Sequence, residues 1–302
     1  MRYNPRARLD NSQVENRRGR GGGGFGGGGL PMGGGGLKVG GGVGGLIVLI
    51  VILVLQSQLG GGSGSTTAQD GPSLTQCTAG TNANQEQDCA LVGDVNAIQS
   101  FWATELPKLS GVRYTPANAA VFTGGTDTGC GSASADMGPF YCPVDKHVYL
   151  DTSFFRDMLL GQLGAKGGRF SWAYVLAHEY GHHVQDLLGT MSKVRSQQGA
   201  TSGSVRLELQ ADCFAGIWTR HATTAPDVDG RPLILDLTPG DISRALDAAA
   251  AVGDDRIQRQ SSGSVDPDSW THGSAAERMH WFRTGMTSGT LRACDTFGAK
   301  RL

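Results

Sequence analysis

The sequence predicts an α+β domain, predominantly helical, set behind one N-terminal apolar segment long enough to cross a membrane. Three observations predict it. Residues 39–59 carry no charge and include the unbroken aliphatic run from Leu46 to Leu55. Residues 170–189 and 204–221 repeat apolar side chains every three or four positions, the stripe of a half-buried helix. Ahead of them, His147-Val148-Tyr149-Leu150-Asp151 alternates as a strand does.

The chain begins with a tail. Of its 48 glycines, 22 fall in residues 1–64, so the glycine excess marks one end of a 302-residue chain. No Gly-X-Y period accompanies them, which excludes collagen. Residues 1–38 carry a net charge of +5 and the remainder −6. A mildly acidic body is a poor partner for nucleic acid. Arg18, Arg20 and Phe25 among glycines are too few to track a phosphate backbone. Residues 1–38 are therefore expected to be a disordered basic tail.

Residues 39–59 are expected to form one transmembrane helix, since about 20 apolar residues cross the hydrocarbon core. All nearby cations precede it, which places residues 1–38 in the cytoplasm and residues 60–302 across the membrane. A cleaved signal peptide would sit nearer the start and would need a small-x-small site that Gln56-Ser57-Gln58 does not provide. A buried core helix would need neighbours that its glycine flanks do not supply. Residues 60–73 read as a flexible stalk, and residues 74–302 as the extracytoplasmic domain.

All six cysteines lie beyond the apolar segment: Cys77, Cys89, Cys130, Cys142, Cys213 and Cys294. An even number in a part expected to leave the cytoplasm points to disulfides. Fifteen pairings are possible. Proximity favours Cys77–Cys89 and Cys130–Cys142, leaving Cys213–Cys294. A cysteine zinc site is the alternative, but no C-x-x-C pair supports it.

After the 147–151 strand a short helix is expected from Thr152 or Ser153 to Leu160. The strand itself either lines a cleft or forms a plain hairpin with the Cys142 loop. Next comes the segment Phe170 to Gly189, with Ser171 as the expected N-cap and Gly189 as the stop. It contains His178-Glu179-Tyr180-Gly181-His182, the H-E-x-x-H pattern. Positions i and i+4 share one helix face, so both imidazoles reach one tetrahedral Zn²⁺. Glu179 beside them is placed to accept a proton from the attacking water rather than to bind metal. His183, five residues from His178, points elsewhere around the helix and reads as a solvated or hydrogen-bonded side chain.

The second periodic segment, 204–221, carries Glu208 and Asp212, again i and i+4. A catalytic zinc needs a third protein ligand and one open position. Its histidines need a carboxylate to fix tautomer and ring angle. Glu208 is read as the ligand and Asp212 as the orienting group, against the alternative of two exposed acids. Residues 190–203 are polar and long enough to return the chain.

H-E-x-x-H followed by E-x-x-x-D resembles the gluzincin arrangement of zinc metallopeptidases. The whole chain is similar to the neutral zinc metallopeptidase family of single-span bacterial membrane proteins, known mainly as predicted peptidases. The resemblance runs through Glu15-Asn16-Arg17-Arg18-Gly19, Phe140-Tyr141-Cys142-Pro143, Val148-Tyr149-Leu150-Asp151, His178 to His183 and Glu208-Leu209-Gln210-Ala211-Asp212. It implies a zincin-like domain in which His178, His182 and Glu208 bind one Zn²⁺ and Glu179 is the catalytic carboxylate. It also implies a peptide or protein substrate and a bacterial cell membrane as the location. By the same likeness, the strand 147–151 is expected at the cleft edge, where an extended peptide adds to it.

Downstream, Ser243 to Gln260 reads as an Ala-rich helix interrupted at Gly253, and a last helix runs from about Thr271 to Met286. His272 opening it resembles the His-Pro-x-x-x-x-Arg segment of some membrane gluzincins, with Gly273 replacing the proline. His272 either donates to a developing oxyanion or caps a loop. Arg278 pairs with Glu208, with Asp212 or with a surface acid. His221 and His280 lack a metal-spaced partner. The function expected is a membrane-tethered zinc metallopeptidase. Its rival is a non-catalytic membrane-anchored binding or assembly domain in which zinc is a closed, four-ligand staple.

Overall fold

The computed structural model describes residues 1–19 and 73–302. In chain order the elements begin with β1 (Arg2–Tyr3), β2 (Val14–Asn16), α1 (Gly80–Gln85) and α2 (Gln87–Ser110). Then come β3 (Asn118–Phe122), β4 (Gly125–Thr128), β5 (Gly131–Ser134), β6 (Phe140–Cys142) and β7 (His147–Asp151). A π-helical segment, Phe154–Gln162, leads to α3 (Arg169–Leu187) and α4 (Gly203–His221). The chain closes with β8 (Ile234–Asp236), α5 (Pro239–Ala251), α6 (Asp254–Ser262) and α7 (Ala275–Ser288). The fold is mixed α/β and predominantly helical, with its main sheet ahead of the motif-bearing helices.

That sheet has the order β2-β3-β7-β6, parallel except where β6 runs against β7. The strand expected at the cleft edge, β7, is therefore interior, and the edge strand is β6. The physical reason is visible in β7 itself. Val148 and Leu150 face the main core while Tyr149 packs with Phe122 and Phe140 on the opposite face. A strand buried on both faces belongs in a sheet's middle, where both backbone edges find partners.

The N-terminal expectation is corrected for the residues described. Residues 1–19 are part of the domain, not a disordered tail. Tyr3 is buried, and its ring lies so close to Gly93 that a Cβ there would stand 2.7 Å from it. The Asn84 side chain brackets the Tyr3 backbone, accepting from its N–H at 3.0 Å and donating to its carbonyl at 2.9 Å. β1 pairs with β8, and β2 lies parallel to β3 as the other edge of the main sheet. Ala7, Leu9 and Val14 join the core, and Arg18 pairs with Asp88 at 2.9 Å. The buried apolar groups of this segment supply what a disordered tail lacks. The expected span 39–59 lies outside the described residues, as does all of the stalk 60–73 but Ser73. Among the described residues, no helix is long and apolar enough to cross a membrane. Residues 1–19 and 73–302 share one core.

Two glycine contacts set the helix pairs that build the site. α3 crosses α4 at Gly181, where a Cβ would stand 2.9 Å from the Ala211 carbonyl oxygen. α4 crosses α7 through Gly216 and Gly285, each of which would drive a Cβ into the other helix's backbone. The expected N-cap Ser171 is instead inside the first turn of α3. Gly168 precedes the helix with φ of 123°, so helical turns start at Arg169, and Ser171 Oγ donates to the Arg244 carbonyl at 3.3 Å. The Ala-rich segment splits into α5 and α6 at Gly253, where the start of α7 approaches. Disulfides join Cys77 to Cys89, Cys130 to Cys142 and Cys213 to Cys294, the proximity pairing.

Candidate active site

α3 and α4 bring two i, i+4 pairs face to face. His178 and His182 stand one turn apart on α3, and Glu208 and Asp212 one turn apart on α4. All four side chains are buried. His178 Nε2 lies 3.1 Å from Glu208 Oε2, and His182 Nε2 lies 3.4 Å from Glu208 Oε1. One donor atom from each of these three residues falls within 4.8 Å of the others. Bonds of 2.0–2.2 Å to a tetrahedral ion set its ligands roughly 3.4 Å apart. Glu208 Oε1 is buried without a hydrogen-bond partner, a costly state for a carboxylate oxygen that a cation relieves. The donors therefore fit a divalent metal, and two imidazoles with one carboxylate suit zinc.

Each histidine is fixed through its other nitrogen. His178 Nδ1 lies 2.8 Å from Asp212 Oδ1, and His182 Nδ1 lies 2.8 Å from Gln185 Oε1. With Nδ1 held in this way, each Nε2 faces Glu208, donating to it from the protonated ring or, with a cation between them, offering that cation its lone pair. Asp212 is itself held. Arg278 donates to both of its oxygens, at 2.8 and 3.1 Å, and the Tyr174 hydroxyl donates to Oδ1. Gln185 donates in turn to the Leu207 carbonyl at 2.7 Å.

These contacts set the charges. Burial raises the Asp212 carboxyl, but Arg278 and then His178 outweigh it and bring its pKa down to about 2. Burial lowers His178, yet Asp212 and Glu208 together raise it to about 10. Glu208 is driven well below the usual carboxylate range, since His182 and His178 overcome its burial. Glu179 goes the other way. Burial lifts it above the ordinary value despite both histidines, which favours holding a proton in transit.

A cavity of about 650 Å³ opens over this floor, and His178, Glu179, His182, Glu208, His272 and Arg278 all line it. His272 reaches it from the loop before α7. Its Nδ1 lies 2.8 Å from Thr271 Oγ1 and 3.3 Å from Asp254 Oδ1. Asp254 Oδ2 also accepts the backbone N–H groups of Thr271, His272 and Gly273 at 2.7–3.0 Å. Burial lowers His272, but Asp254 more than compensates and its pKa is raised.

The structure thus unites His178, Glu179, His182, Glu208, Asp212, His272 and Arg278, and leaves other candidates outside. His183 is buried, with Nε2 2.7 Å from the Thr115 carbonyl and Nδ1 3.0 Å from the Tyr141 hydroxyl. His221 stacks on Phe101, and His280 packs edge-on to Trp281. Sequence reasoning missed Tyr174, Gln185 and Asp254. Tyr174 is four residues before His178 and Gln185 three after His182, so helix geometry contained that signal. Asp254, eighteen residues before His272 and on another helix, left none.

A family model described as "putative neutral zinc metallopeptidase" matches residues 1–297. An uncharacterized protein of Mycobacterium tuberculosis is 48% identical over 231 residues, 76% of this chain and 77% of its own. The uncharacterized protein YpfJ of Escherichia coli is 43% identical over 308 residues, 99% of each chain. No solved structure matches. The chain belongs to this family, whose description names a metal and a reaction class while these relatives' names state no activity.

Proposed function

We propose that this chain is a zinc-dependent peptidase with a zincin-like catalytic domain, binding one Zn²⁺ through His178, His182 and Glu208. The carrying observation is that, among the described residues, three donors converge at a cleft floor with Glu179 beside them. Three protein ligands leave a position for water or substrate, whereas a structural zinc is usually closed by four. The six cysteines are paired and His272 is engaged by Asp254, which argues against the rival of a four-ligand staple in a binding domain.

A bound Zn²⁺ supplies Lewis acidity toward the scissile carbonyl and toward water, whose pKa falls toward ~7. Glu179 accepts the proton of the attacking water and delivers it to the leaving amine. His272, whose pKa Asp254 raises, donates to the carbonyl oxygen as that atom gains negative charge. Asp212, clamped by Arg278 and Tyr174, keeps His178 in one tautomer, and Gln185 does the same for His182.

We place the domain, with residues 1–19 packed into it, outside the cytoplasm of a bacterial cell. Three disulfides suit an oxidising compartment, and residues 1–19 accompany the domain rather than remaining inside. Glu179→Gln tests the chemistry. Zinc stoichiometry should stay near one while peptide cleavage disappears; a variant cleaving as well as the wild type overturns the reading.

A further inference from the structure

The cleft is far larger than the reaction needs. A volume of about 650 Å³ exceeds one peptide unit and its side chains, and apolar side chains make up most of its walls. Met137, then Phe154 and Met158 of the π-helical segment, Leu163 just after it, and Val252 and Ile257 of the α5–α6 corner line it. Phe154 is buried, and the other five are half-buried. At the mouth, beside Pro143, Val144 is 72% exposed. An apolar surface kept open to water in this way marks a binding site.

Charge is absent where a chain terminus would need it. Among the described residues lining the cleft, Arg278 is the only Lys or Arg, and Asp212 occupies it. A substrate's terminal carboxylate therefore finds no free Lys or Arg beside the metal ligands. Asp186, also in the lining, already accepts from the Tyr141 hydroxyl at 2.9 Å. β6 contributes Phe140 and Tyr141 to the wall and is paired on one side alone. Its three residues lie between Pro139 and Pro143, which lack N–H groups, so it offers a short ladder to an extended chain.

Three of the seven methionines, Met137, Met158 and Met191, line this one cleft. Unbranched thioether side chains adapt to apolar groups of different shape, and Met-rich surfaces tolerate varied partners. We propose that the cleft selects extended segments within a chain that carry bulky apolar side chains beside the cut, accepting several such residues and rejecting charged ones. The inference rests on the peptidase reading for the cut, but the selection belongs to the apo protein's own walls.

Two readouts on the full chain separate the inference from that reading. In the first, zinc-loaded protein digests a library of end-blocked peptides randomised around their centre, and the products are mapped by mass spectrometry. Leu, Phe and Met should be enriched at a position flanking the cut. Alanine there should lower kcat/KM by about 10- to 100-fold, the discrimination an apolar pocket achieves. Ile257→Glu and, independently, Met158→Glu should lower turnover of the Leu peptides and raise that of peptides with Lys in that place. In the second, Glu179→Gln binds fluorescent Leu-, Lys- and Glu-centred peptides without cutting them, and anisotropy should rank Leu well above both.

Cleavage with no apolar enrichment, or removal of single C-terminal residues, overturns the inference and leaves the peptidase intact. Equal binding of the three peptides also overturns it. Apolar-selective binding by a wild type that cuts nothing supports the cleft's selectivity and overturns the peptidase.

Discussion

Gly181→Ala adds one methyl group where α3 and α4 touch. Its Cβ would stand 2.9 Å from the Ala211 carbonyl oxygen, 3.1 Å from its Cα and 3.3 Å from its Cβ. Contacts of that kind relax toward 3.5 Å or more, so α4 must move by about 0.5 Å. The displacement falls where function is set, because Gly181 lies between His178 and His182 while Ala211 lies between Glu208 and Asp212. Overpacking a close contact costs about 1–3 kcal/mol. Replacing helical glycine by alanine returns about 1 kcal/mol. The net is a loss of up to about 2 kcal/mol, equivalent to a fall in Tm of about 4–8 °C for a domain of this size. Zinc affinity should fall further, about 10- to 100-fold, because ligands and their supporting groups separate together. Competition with a chromogenic chelator and thermal unfolding of the apo protein measure the two effects. Gly240→Ala, whose Cβ meets only Thr238 Oγ1 at 3.6 Å, is the control and should be near neutral. If Gly181→Ala binds zinc as tightly as wild type and melts no earlier, the glycine contact does not set the site.

Three further expectations concern the docking of the N-terminal residues and the loop before α7. Asp94 is buried beside Tyr3, and burial outweighs the Tyr3 hydrogen bond and Arg169 to raise its pKa from 3.8 to about 8. The folded state therefore holds a proton that the unfolded chain releases, and stability should fall as pH rises from 4 to 8. Denaturant titrations at pH 5 and 8 should show wild type losing up to about 4 kcal/mol relative to Asp94→Asn; parallel curves would refute the buried, protonated state. Asp254→Ala removes the carboxylate that holds His272 and should lower kcat by about 10-fold or more with zinc content unchanged, below the loss for deleting a donor outright. An unaltered kcat would remove His272 from the chemistry. Finally, Arg6→Cys and Ser264→Cys, both at exposed positions, should react alike with a membrane-impermeant maleimide in intact cells. Labelling of one alone would show that residues 1–19 and the domain lie on opposite sides.

The sequence by itself determined which side chains could meet at a metal site, because that part of the arrangement is local. A helix fixes residues four apart on one face, so His178 with His182 and Glu208 with Asp212 could be read without knowing how α3 and α4 meet. Short separation also favoured the Cys77–Cys89 and Cys130–Cys142 disulfides, and elimination left Cys213–Cys294. Tertiary structure decided what depends on distant pairing. Family likeness put strand β7 at an edge, but it forms the alternative hairpin with the Cys142 strand and also pairs with β3, because five residues of alternation do not reveal how many neighbours their backbone has. Arg278 had three possible partners in the sequence, and the Gly216–Gly285 crossing of α4 and α7 selected Asp212 by bringing the two helices within backbone contact. The N-terminal residues looked disordered because β1 and β2 are two and three residues long, too short to carry a period. Their order comes from Tyr3, Val14 and the backbone edges of β8 and β3, contacts that exist only once the rest of the chain has folded.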